Sequence, residues 1–269
     1  LPREDAMPAA GRAIRGAQWA DVLRREMAHS STDTVAWMEQ HTRALKSDRY
    51  SRVGTLELQG QPCWLKLYIG KSYWQRLGFR LGYGRAVHSF DAAHKLSDKG
   101  LAVPAPRTCT LVPEGIVLLT EGIVPSSDLR TLWLAQLDRA RVMQLMSCAG
   151  ESIAALHAAG FAHGDCKWGN LLWDGQRFLL VDLEAVRSVK MSNSDAFPLP
   201  AGQQRDLARY TVDAEELAVN PEQYSVFMAS YCARRNFSIE TVSSAIKPAV
   251  EYIRRRHRAR YGGEHRALV

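Results

Sequence analysis

The stretch HAAGFAHGDCKWGNLLWDGQRFLLVDLEAVR, residues 157–187, places charged and polar side chains around two short apolar runs. Asp165 follows a helical pattern and a turn, Asn170 lies five residues later, and Asp182 follows the second apolar run. Phosphoryl transfer needs a carboxylate beside the attacking hydroxyl, a carboxylate and an amide oxygen on a metal ion, and a lysine on the phosphates. These residues can supply the two carboxylates and the amide.

The spacing within the stretch predicts how these side chains are positioned. An asparagine five residues after an aspartate is the spacing of the kinase catalytic loop. Residues 171–173 and 177–181 are predicted to form a short hairpin that presents Asp182 at its end. We therefore interpret the hairpin as the element that holds the metal ligands Asn170 and Asp182.

A lysine lies upstream in the run CWLKLYI, which has the composition of a β-strand. Alternation of faces along a strand should point Lys66 away from the side of Leu65 and Leu67. A single lysine in a strand is usually a solvated residue. The order of a strand lysine, a long helix, His-x-Asp, an asparagine and a later aspartate favours a phosphate-binding role for Lys66.

The rest of the chain predicts a strand-rich half followed by a helical half. Strands are predicted at residues 53–58, 63–69 and 115–120, with a helical segment at 71–100 between them. The pattern is helical from Leu129 to Gly160, and most segments after Arg187 are helical in pattern. In the first of these ranges the apolar residues spaced three or four apart are Leu145, Cys148, Ala149, Ile153 and Leu156. Before residue 46 the pattern is polar and helix-like.

Composition favours a globular protein with an acidic partner. The chain has 269 residues, 46% of them hydrophobic and 23% charged, and a formal net charge of +7. Its five cysteines contain no C-x-x-C pair, which favours a reducing compartment. No stretch approaches the roughly 18 apolar residues of a membrane helix, and the first residues lack the apolar core of a signal peptide. A cytoplasmic location is the expectation.

The motifs HGDCKWGNLLWDG and LVDLEAVR resemble those of the lipopolysaccharide kinase family, the Kdo and heptose kinases with their InaA-like relatives. The resemblance covers roughly residues 45–210. It implies an α+β, bilobal, protein-kinase-like fold with an antiparallel-sheet N-lobe and a mostly helical C-lobe. The expected organisation is a helical extension at 1–45, the N-lobe at 46–122 and the C-lobe at 123–269.

The resemblance also implies an activity and its cofactors. Members use ATP and a divalent metal, here expected to be Mg²⁺, to phosphorylate sugars of the lipopolysaccharide inner core. On this basis Asp165 is the catalytic base, and Lys167 matches a lysine that can reach the transferred phosphate. Asn170 and Asp182 would hold the metal, and Lys66 the nucleotide phosphates.

Two departures from the kinase pattern affect the nucleotide site. No G-x-G-x-x-G precedes the first hairpin, so a phosphate lid would use Ser47, Ser51 and basic side chains of ALKSDRYSRVG. The helix after Lys66 has no glutamate to pair with it, so Asp91 is the expected partner. A weakly active nucleotide-binding pseudokinase remains an alternative.

The roles of several other residues near the predicted site follow less directly from the sequence. The backbone from Glu121 to Ile123 in LLTEGI could meet adenine or could be a plain strand end. Asp206 could brace the catalytic loop or form a surface ion pair, and Glu184 could lie near the metal or in solvent. We interpret His163 as structural, and the sequence also predicts that Cys166 is an inert packing residue.

The basic stretches bear on the acceptor. KSYWQRLGFRLGYGR, residues 71–85, combines bases with aromatics that include Trp74, Phe79 and Tyr83, and RRRHRARYGGEHR lies at the end of the chain. Both suit a core sugar or related glycolipid, with peripheral contact to the anionic inner membrane. A small-molecule kinase of similar fold is the alternative, and it should have an acidic acceptor pocket. No recognition motif supports nucleic-acid binding.

Overall fold

The computed structural model describes residues 11–28, 33–190, 199–262 and 266–269. The chain divides into two compact units. The first unit consists of Leu1–Ser97 and Pro104–Val124, and the second of Asp98–Val103 and Pro125–Val269. The C-terminal basic stretch therefore lies partly outside the described residues, because 263–265 fall in a gap.

A six-stranded antiparallel sheet forms the first unit, with strand order β1-β5-β6-β4-β3-β2. In chain order the elements are β1 (Arg12–Arg15), α1 (Ala17–Ala28), α2 (Thr34–His41), β2 (Arg43–Asp48), β3 (Ser51–Leu58), β4 (Gln61–Ile69), α3 (Tyr73–Arg80), α4 (Arg85–Asp98), β5 (Pro106–Val112) and β6 (Gly115–Glu121). The strands predicted at 53–58, 63–69 and 115–120 are confirmed as β3, β4 and β6.

Alternate residues of the central strands pack into two different apolar clusters. Leu65 and Leu67 of β4 lie in a cluster with residues of α1 and α2, which include Leu23 and Trp37. Tyr68 lies in the other cluster, with Phe79 of α3 and Phe90 of α4. Because side chains alternate along a strand, the sheet separates α1 and α2 from α3 and α4.

The first unit differs from the sequence prediction in two places. The helix-like segment before residue 46 also contributes strands: β1 pairs with β5 at one edge of the sheet, and β2 begins at Arg43. The helical segment 71–100 is two helices, because Gly82 and Gly84 adopt φ of 79° and 140° between them. Such positive φ values end an α-helix and favour glycine.

The second unit is mostly helical. Its elements are β7 (Ser127–Asp128), α5 (Leu129–Leu134), α6 (Arg139–Ala158), β8 (Phe161–Ala162), β9 (Leu171–Trp173), β10 (Phe178–Leu180), β11 (Arg187–Ser188), α7 (Ala201–Glu216), α8 (Pro221–Arg235) and α9 (Ile239–Tyr261). The predicted hairpin is confirmed as β9 and β10, in which Trp173 pairs with Phe178. Tyr210 of α7 and Phe227 of α8 stack with ring centroids 3.9 Å apart in the core.

The α+β class expected from the sequence is confirmed by these two units. Leu145, Ala149, Ile153 and Leu156 of α6 are buried, as their helical spacing predicts, whereas Cys148 of the same predicted set is only partly buried. Within the described part of the chain, every helix is too short or too polar to cross a membrane.

Candidate active site

The loop that contains Asp165, residues 163–170, is attached to α7 by a buried carboxylate. Asp206 of α7 accepts hydrogen bonds from the backbone N–H of His163 at 2.6 Å and of Gly164 at 2.8 Å. Its side chain is 1% exposed, and His157 Nε2 lies 3.2 Å from Oδ2. A buried carboxylate with several donors holds backbone strongly, so Asp206 is the loop brace and not a surface ion pair.

A second carboxylate of α7 holds the other end of the loop. Asp213 Oδ2 accepts the backbone N–H of Trp168 at 2.9 Å, and Oδ1 lies 2.8 Å from Arg209 Nη2. Sequence reasoning missed Asp213. The available signal was its position seven residues after Asp206, about two helical turns, which places both side chains on one face of α7.

The backbone and its neighbours require a glycine at position 164. Its φ is +82°, and a Cβ there would lie 2.6 Å from the carbonyl oxygen of Ala185. The chain can therefore turn toward Asp165 only where no side chain is present.

Asp165, Lys167 and Asn170 converge in this loop. Lys167 Nζ donates to Asp165 Oδ2 at 2.8 Å. Asn170 Nδ2 donates to the carbonyl oxygen of Asp165 at 2.8 Å. The side chains of Asp165 and Lys167 are 42% and 38% exposed, so solvent and ligand can reach both. Three of the four residues predicted from this stretch are thus in mutual contact.

Asp182 is joined to the loop through backbone. The N–H of Val181 donates to the carbonyl oxygen of Asn170 at 3.1 Å, and His163 Nε2 donates to the carbonyl oxygen of Val181 at 3.1 Å. Asp182 itself is exposed and has a left-handed backbone, with φ 61° and ψ 54°. Few residues other than glycine adopt left-handed φ and ψ angles, and those that do are often found at ligand sites.

The donor set fits a Mg²⁺ ion held mainly by nucleotide phosphates. Because Nδ2 of the buried Asn170 is used inside the loop, its Oδ1 is the atom left to act as a ligand. Mg²⁺ is commonly bound by one or two carboxylates together with substrate phosphates. The described residues contain no cluster of three His, Cys, Asp or Glu side chains suited to a metal.

Burial sets the protonation states around the loop. Desolvation lowers the pKa of His163 and of His157 below the ordinary value, so both imidazoles are neutral at pH 7. His163 therefore carries its proton on Nε2, where it binds Val181. Burial raises the pKa of Asp213 to about 6, and it raises the pKa of the fully buried Cys166 thiol. Cys166 is thus neutral, as predicted for a packing residue.

Lys66 lies on β4 in the first unit, on the side opposite Leu65 and Leu67. Those two leucines are fully buried, whereas Lys66 is partly exposed. Its Nζ lies 4.9 Å from the ring centroid of Tyr68, the next residue on the same face. The predicted orientation of Lys66 is therefore confirmed within this unit, and its contact with nucleotide phosphates stays a prediction.

Asp91 of α4 is engaged by an arginine from the start of the chain. Both of its carboxylate oxygens accept hydrogen bonds from Arg15 of β1, at 3.0 and 3.2 Å. The sequence could not indicate this pair, which joins residues 76 positions apart. The predicted pairing of Asp91 with Lys66 in the presence of nucleotide stays a prediction, and Arg15 would have to share or release the carboxylate.

The segment predicted to meet adenine uses some of its donors internally. The N–H of Glu121 donates to the carbonyl oxygen of Ala105, and that of Gly122 to Pro62, each at 2.8 Å. Glu121 also accepts the N–H of Ala105 through its side chain at 3.1 Å. Ile123 therefore offers the backbone N–H of this segment that could donate to a base.

The β2–β3 turn, residues 48–51, is arranged differently from a glycine-rich phosphate loop. Asp48 Oδ1 accepts the N–H groups of Tyr50 and Ser51, and Oδ2 accepts the Ser51 hydroxyl. The donors that Ser51 was expected to offer to phosphate are thus bonded to Asp48. The prediction of a Ser51 contact needs this turn to open, and no such constraint was visible in the sequence.

A cavity of about 790 Å³ opens beside the loop in the second unit. Asp165 and Lys167 line it, together with side chains of α5, α7 and α9. Its volume lies within the usual range for small-molecule sites, about 300–1,000 Å³. Because Asp165 lines the cavity, a hydroxyl bound there would lie beside this carboxylate.

The model of the lipopolysaccharide kinase (Kdo/WaaP) family matches residues 35–231. A solved structure of WaaP in complex with acyl carrier protein covers 88% of this chain and 96% of its own, with a TM-score of 0.58 and 17% identity. That likeness shows a shared fold. No curated protein was found to match.

Proposed function

We propose a sugar-kinase activity for this chain, which belongs to the lipopolysaccharide kinase (Kdo/WaaP) family and has a protein-kinase-like fold. Family membership makes the chain a kinase. The proposed donor is ATP with Mg²⁺, and the proposed acceptor is a heptose or Kdo hydroxyl of the lipopolysaccharide inner core. The contact of Asp165 with Lys167 and Asn170, beside a ligand-sized cavity, is the observation that carries the proposal.

The loop residues have separate tasks in the proposed reaction. Asp165 Oδ2 is bound to Lys167, which leaves Oδ1 to accept or orient the proton of the acceptor hydroxyl. Lys167 would neutralise charge on the phosphoryl group during transfer. Asp206 and Asp213 keep the loop backbone in position by accepting hydrogen bonds from its N–H groups.

The nucleotide would be held from several sides. Asn170 Oδ1 and the Asp182 carboxylate would hold Mg²⁺, which neutralises phosphate charge when bound. Lys66 would bind the phosphates, and the backbone of Ile123 would contact adenine. Asp91 is the proposed partner of Lys66, in competition with Arg15.

The rival functions make different demands on the cavity. A kinase for cationic alcohols or aminoglycosides needs an acidic acceptor pocket, whereas the cavity is lined by four Lys or Arg side chains and two carboxylates. The charge balance favours an anionic acceptor. A pseudokinase is disfavoured by the intact contact set of Asp165, Lys167 and Asn170.

The proposed activity is tested by transfer of labelled phosphate from ATP to purified core oligosaccharide. We expect Mg²⁺-dependent transfer by the wild type. Calorimetric nucleotide binding should lose its metal dependence in Asp182→Ala, with Asp174→Ala, an aspartate of the same hairpin away from the proposed ligands, as a matched control. Rapid transfer to a free small alcohol with none to any core sugar would support the small-molecule kinase instead.

A surface at α3 supports peripheral binding to an anionic membrane. Tyr73, Trp74, Leu81 and Tyr83 are 66–77% exposed, and Arg76, Arg80 and Arg85 are exposed nearby. Aromatic and basic side chains together suit the headgroup boundary. Phe79 was expected to share this role and does not, because it is 3% exposed and packs against α4.

The membrane proposal is tested with vesicles that contain phosphatidylglycerol. Each cation near an anionic leaflet is worth about 1 kcal/mol, so reversal of Arg76 and Arg80 to Glu should weaken sedimentation steeply at low salt. A double reversal of Arg205 and Arg234, which are exposed on α7 and α8 and lie outside both basic stretches, is the matched control. Unchanged sedimentation with weakened binding to acyl carrier protein would assign the surface to a protein partner instead.

A further inference from the structure

The wall of the cavity beside Asp165 is unusually rich in arginine. Arg130 of α5, Arg209 of α7 and Arg256 of α9 line it, in addition to Lys167. The lining carboxylates are Asp165 and Glu216. Three helices that are distant in sequence thus bring guanidinium groups to one cavity, which concentrates positive charge where an acceptor would bind.

Several of these charges are already matched inside the protein. Lys167 binds Asp165, Arg209 lies 2.8 Å from Asp213, and Glu216 lies 2.7 Å from His257. Among the described residues, no carboxylate lies within ion-pair distance of Arg130 or Arg256. Arg130 is close enough to Asp213 for their charges to interact, but neither Arg130 nor Arg256 has a carboxylate at ion-pair distance among the described residues that line the cavity.

Arg256 is also held in place by a neighbour. Its guanidinium carbon lies 5.8 Å from the ring centroid of Tyr252, one turn earlier on α9, a distance at which a cation and an aromatic ring attract each other. Tyr252 is 52% exposed and lines the same cavity. A half-exposed ring beside an arginine can pack against a sugar while the guanidinium binds an attached anion.

Helix α9 spans Ile239–Tyr261, whereas the family model ends at residue 231. The part of the wall that contains Tyr252 and Arg256 is thus outside the matched region. Arg130, Asp165 and Lys167 lie inside it. The cavity thus combines residues inside the matched region with a wall that lies outside it.

We propose that the cavity is an acceptor subsite in which Arg130 and Arg256 bind a carboxylate or phosphate already present on the acceptor sugar. The inference rests on the proposed kinase function and specifies its substrate class: the enzyme acts on a sugar that is anionic before transfer. The reaction that installs that group, a phosphorylation or the addition of an acidic sugar, must then precede this one.

The first test measures binding without ATP, so it does not depend on transfer. The probes are glucose, glucuronate and glucose 6-phosphate, which differ only at carbon 6, titrated into the full chain and followed by ligand-observed NMR. We expect both anions to bind at least about tenfold more tightly than glucose, since a charge-assisted bond contributes about that factor. Arg130→Ala and Arg256→Ala should each remove most of this preference.

Arg255→Ala is the matched control, because Arg255 is adjacent on α9 and lines a different cavity with Glu251, Arg254 and Arg258. It removes the same charge and should leave the anion preference intact. Equal affinity for all three probes, or an equal loss in Arg255→Ala, would overturn the subsite.

The second test identifies whether the cavity recognises a phosphate or a carboxylate on the acceptor. Core oligosaccharide is assayed as isolated, after chemical removal of its phosphates and after reduction of its carboxyl groups. We expect KM to rise about 10- to 100-fold for one treated form, and Arg256→Ala to abolish the difference between forms. Equal transfer to all three would overturn the inference and keep the kinase. Absence of transfer with the binding preference intact would overturn the kinase proposal alone.

Discussion

The loop at residues 163–170 and the α9 wall of the neighbouring cavity are built in opposite ways. The loop is held by carboxylates that are 1% and 5% exposed, and each accepts backbone N–H groups. The wall consists of exposed Tyr252 and Arg256 on the surface of a helix. Buried polar contacts fix geometry at a high cost if one partner is lost, whereas exposed side chains can change with little effect on the fold. The loop that contains Asp165 is thus held rigidly, and the exposed wall of the cavity is adjustable.

The largest expected effect comes from the loop itself. Asp165→Asn should lower single-turnover phosphate transfer by about 10² to 10⁴, because general-base assistance is typically worth that factor and an amide cannot take the proton. The loss should be the same for every acceptor that the wild type uses. Nucleotide titration of the same variant should be almost unchanged. Equal transfer rates in variant and wild type would remove Asp165 from the mechanism.

Loss of the Asp206 brace should mainly lower the stability of the folded protein. Asp206→Ala leaves the N–H groups of His163 and Gly164 without their acceptor, at a cost of about 1–3 kcal/mol for each buried group. Urea unfolding should report a loss of about 3 kcal/mol or more. Asp206→Asn keeps one acceptor oxygen, so its free energy of unfolding should lie between those of the wild type and Asp206→Ala. A stability equal to that of the wild type would show that the loop holds its own shape.

The second brace should be visible in the pH dependence of stability. Burial raises the pKa of Asp213 to about 6, above that of an unfolded aspartate. The folded chain then binds more protons between these pKa values, so this contribution favours folding at low pH and is lost as pH rises through about 6. Relative to Asp213→Asn, the wild type should be about 1 kcal/mol more stable at pH 5 than at pH 7.5. A constant difference between the two proteins would contradict the raised pKa.

The smallest effect on folding is expected in the wall. Tyr252→Ala should change the free energy of unfolding by only about 0.5 kcal/mol, as exposed substitutions usually do. The matched change Tyr210→Ala, in a ring that is fully buried, should cost about 3–5 kcal/mol, the range for large aromatic truncations in cores. Thermal unfolding of both variants compares them directly. A large loss in Tyr252→Ala would show that the wall is part of the core.

Local patterns in the sequence predicted several structural features of the candidate site. The hairpin that precedes Asp182 follows from two short apolar runs, and the side of Lys66 follows from strand alternation. The contact between Asp165 and Asn170 follows from their spacing in one loop. These features depend on residues close together in the chain, where periodicity and spacing are informative.

Long-range packing explains what the sequence did not reveal. The pair of Arg15 with Asp91 and the contact of Asp213 with Trp168 join residues 76 and 45 positions apart. Phe79 looked like an exposed aromatic because its partners on α4 are not evident from its neighbours in the chain. The sequence associated the basic residues of α9 with an anionic acceptor, but only the fold shows that Arg256 lines the same cavity as Asp165.

The brace also determines when the site can form during synthesis. The acceptors for the loop N–H groups lie 42 to 45 residues later in the chain. A ribosome that adds about 5–20 residues per second therefore releases residues 163–170 some seconds before α7 exists to hold them. Until then the loop has its sequence but not its geometry. Catalytic competence should be among the last properties that the nascent chain acquires, after the N-terminal sheet is complete.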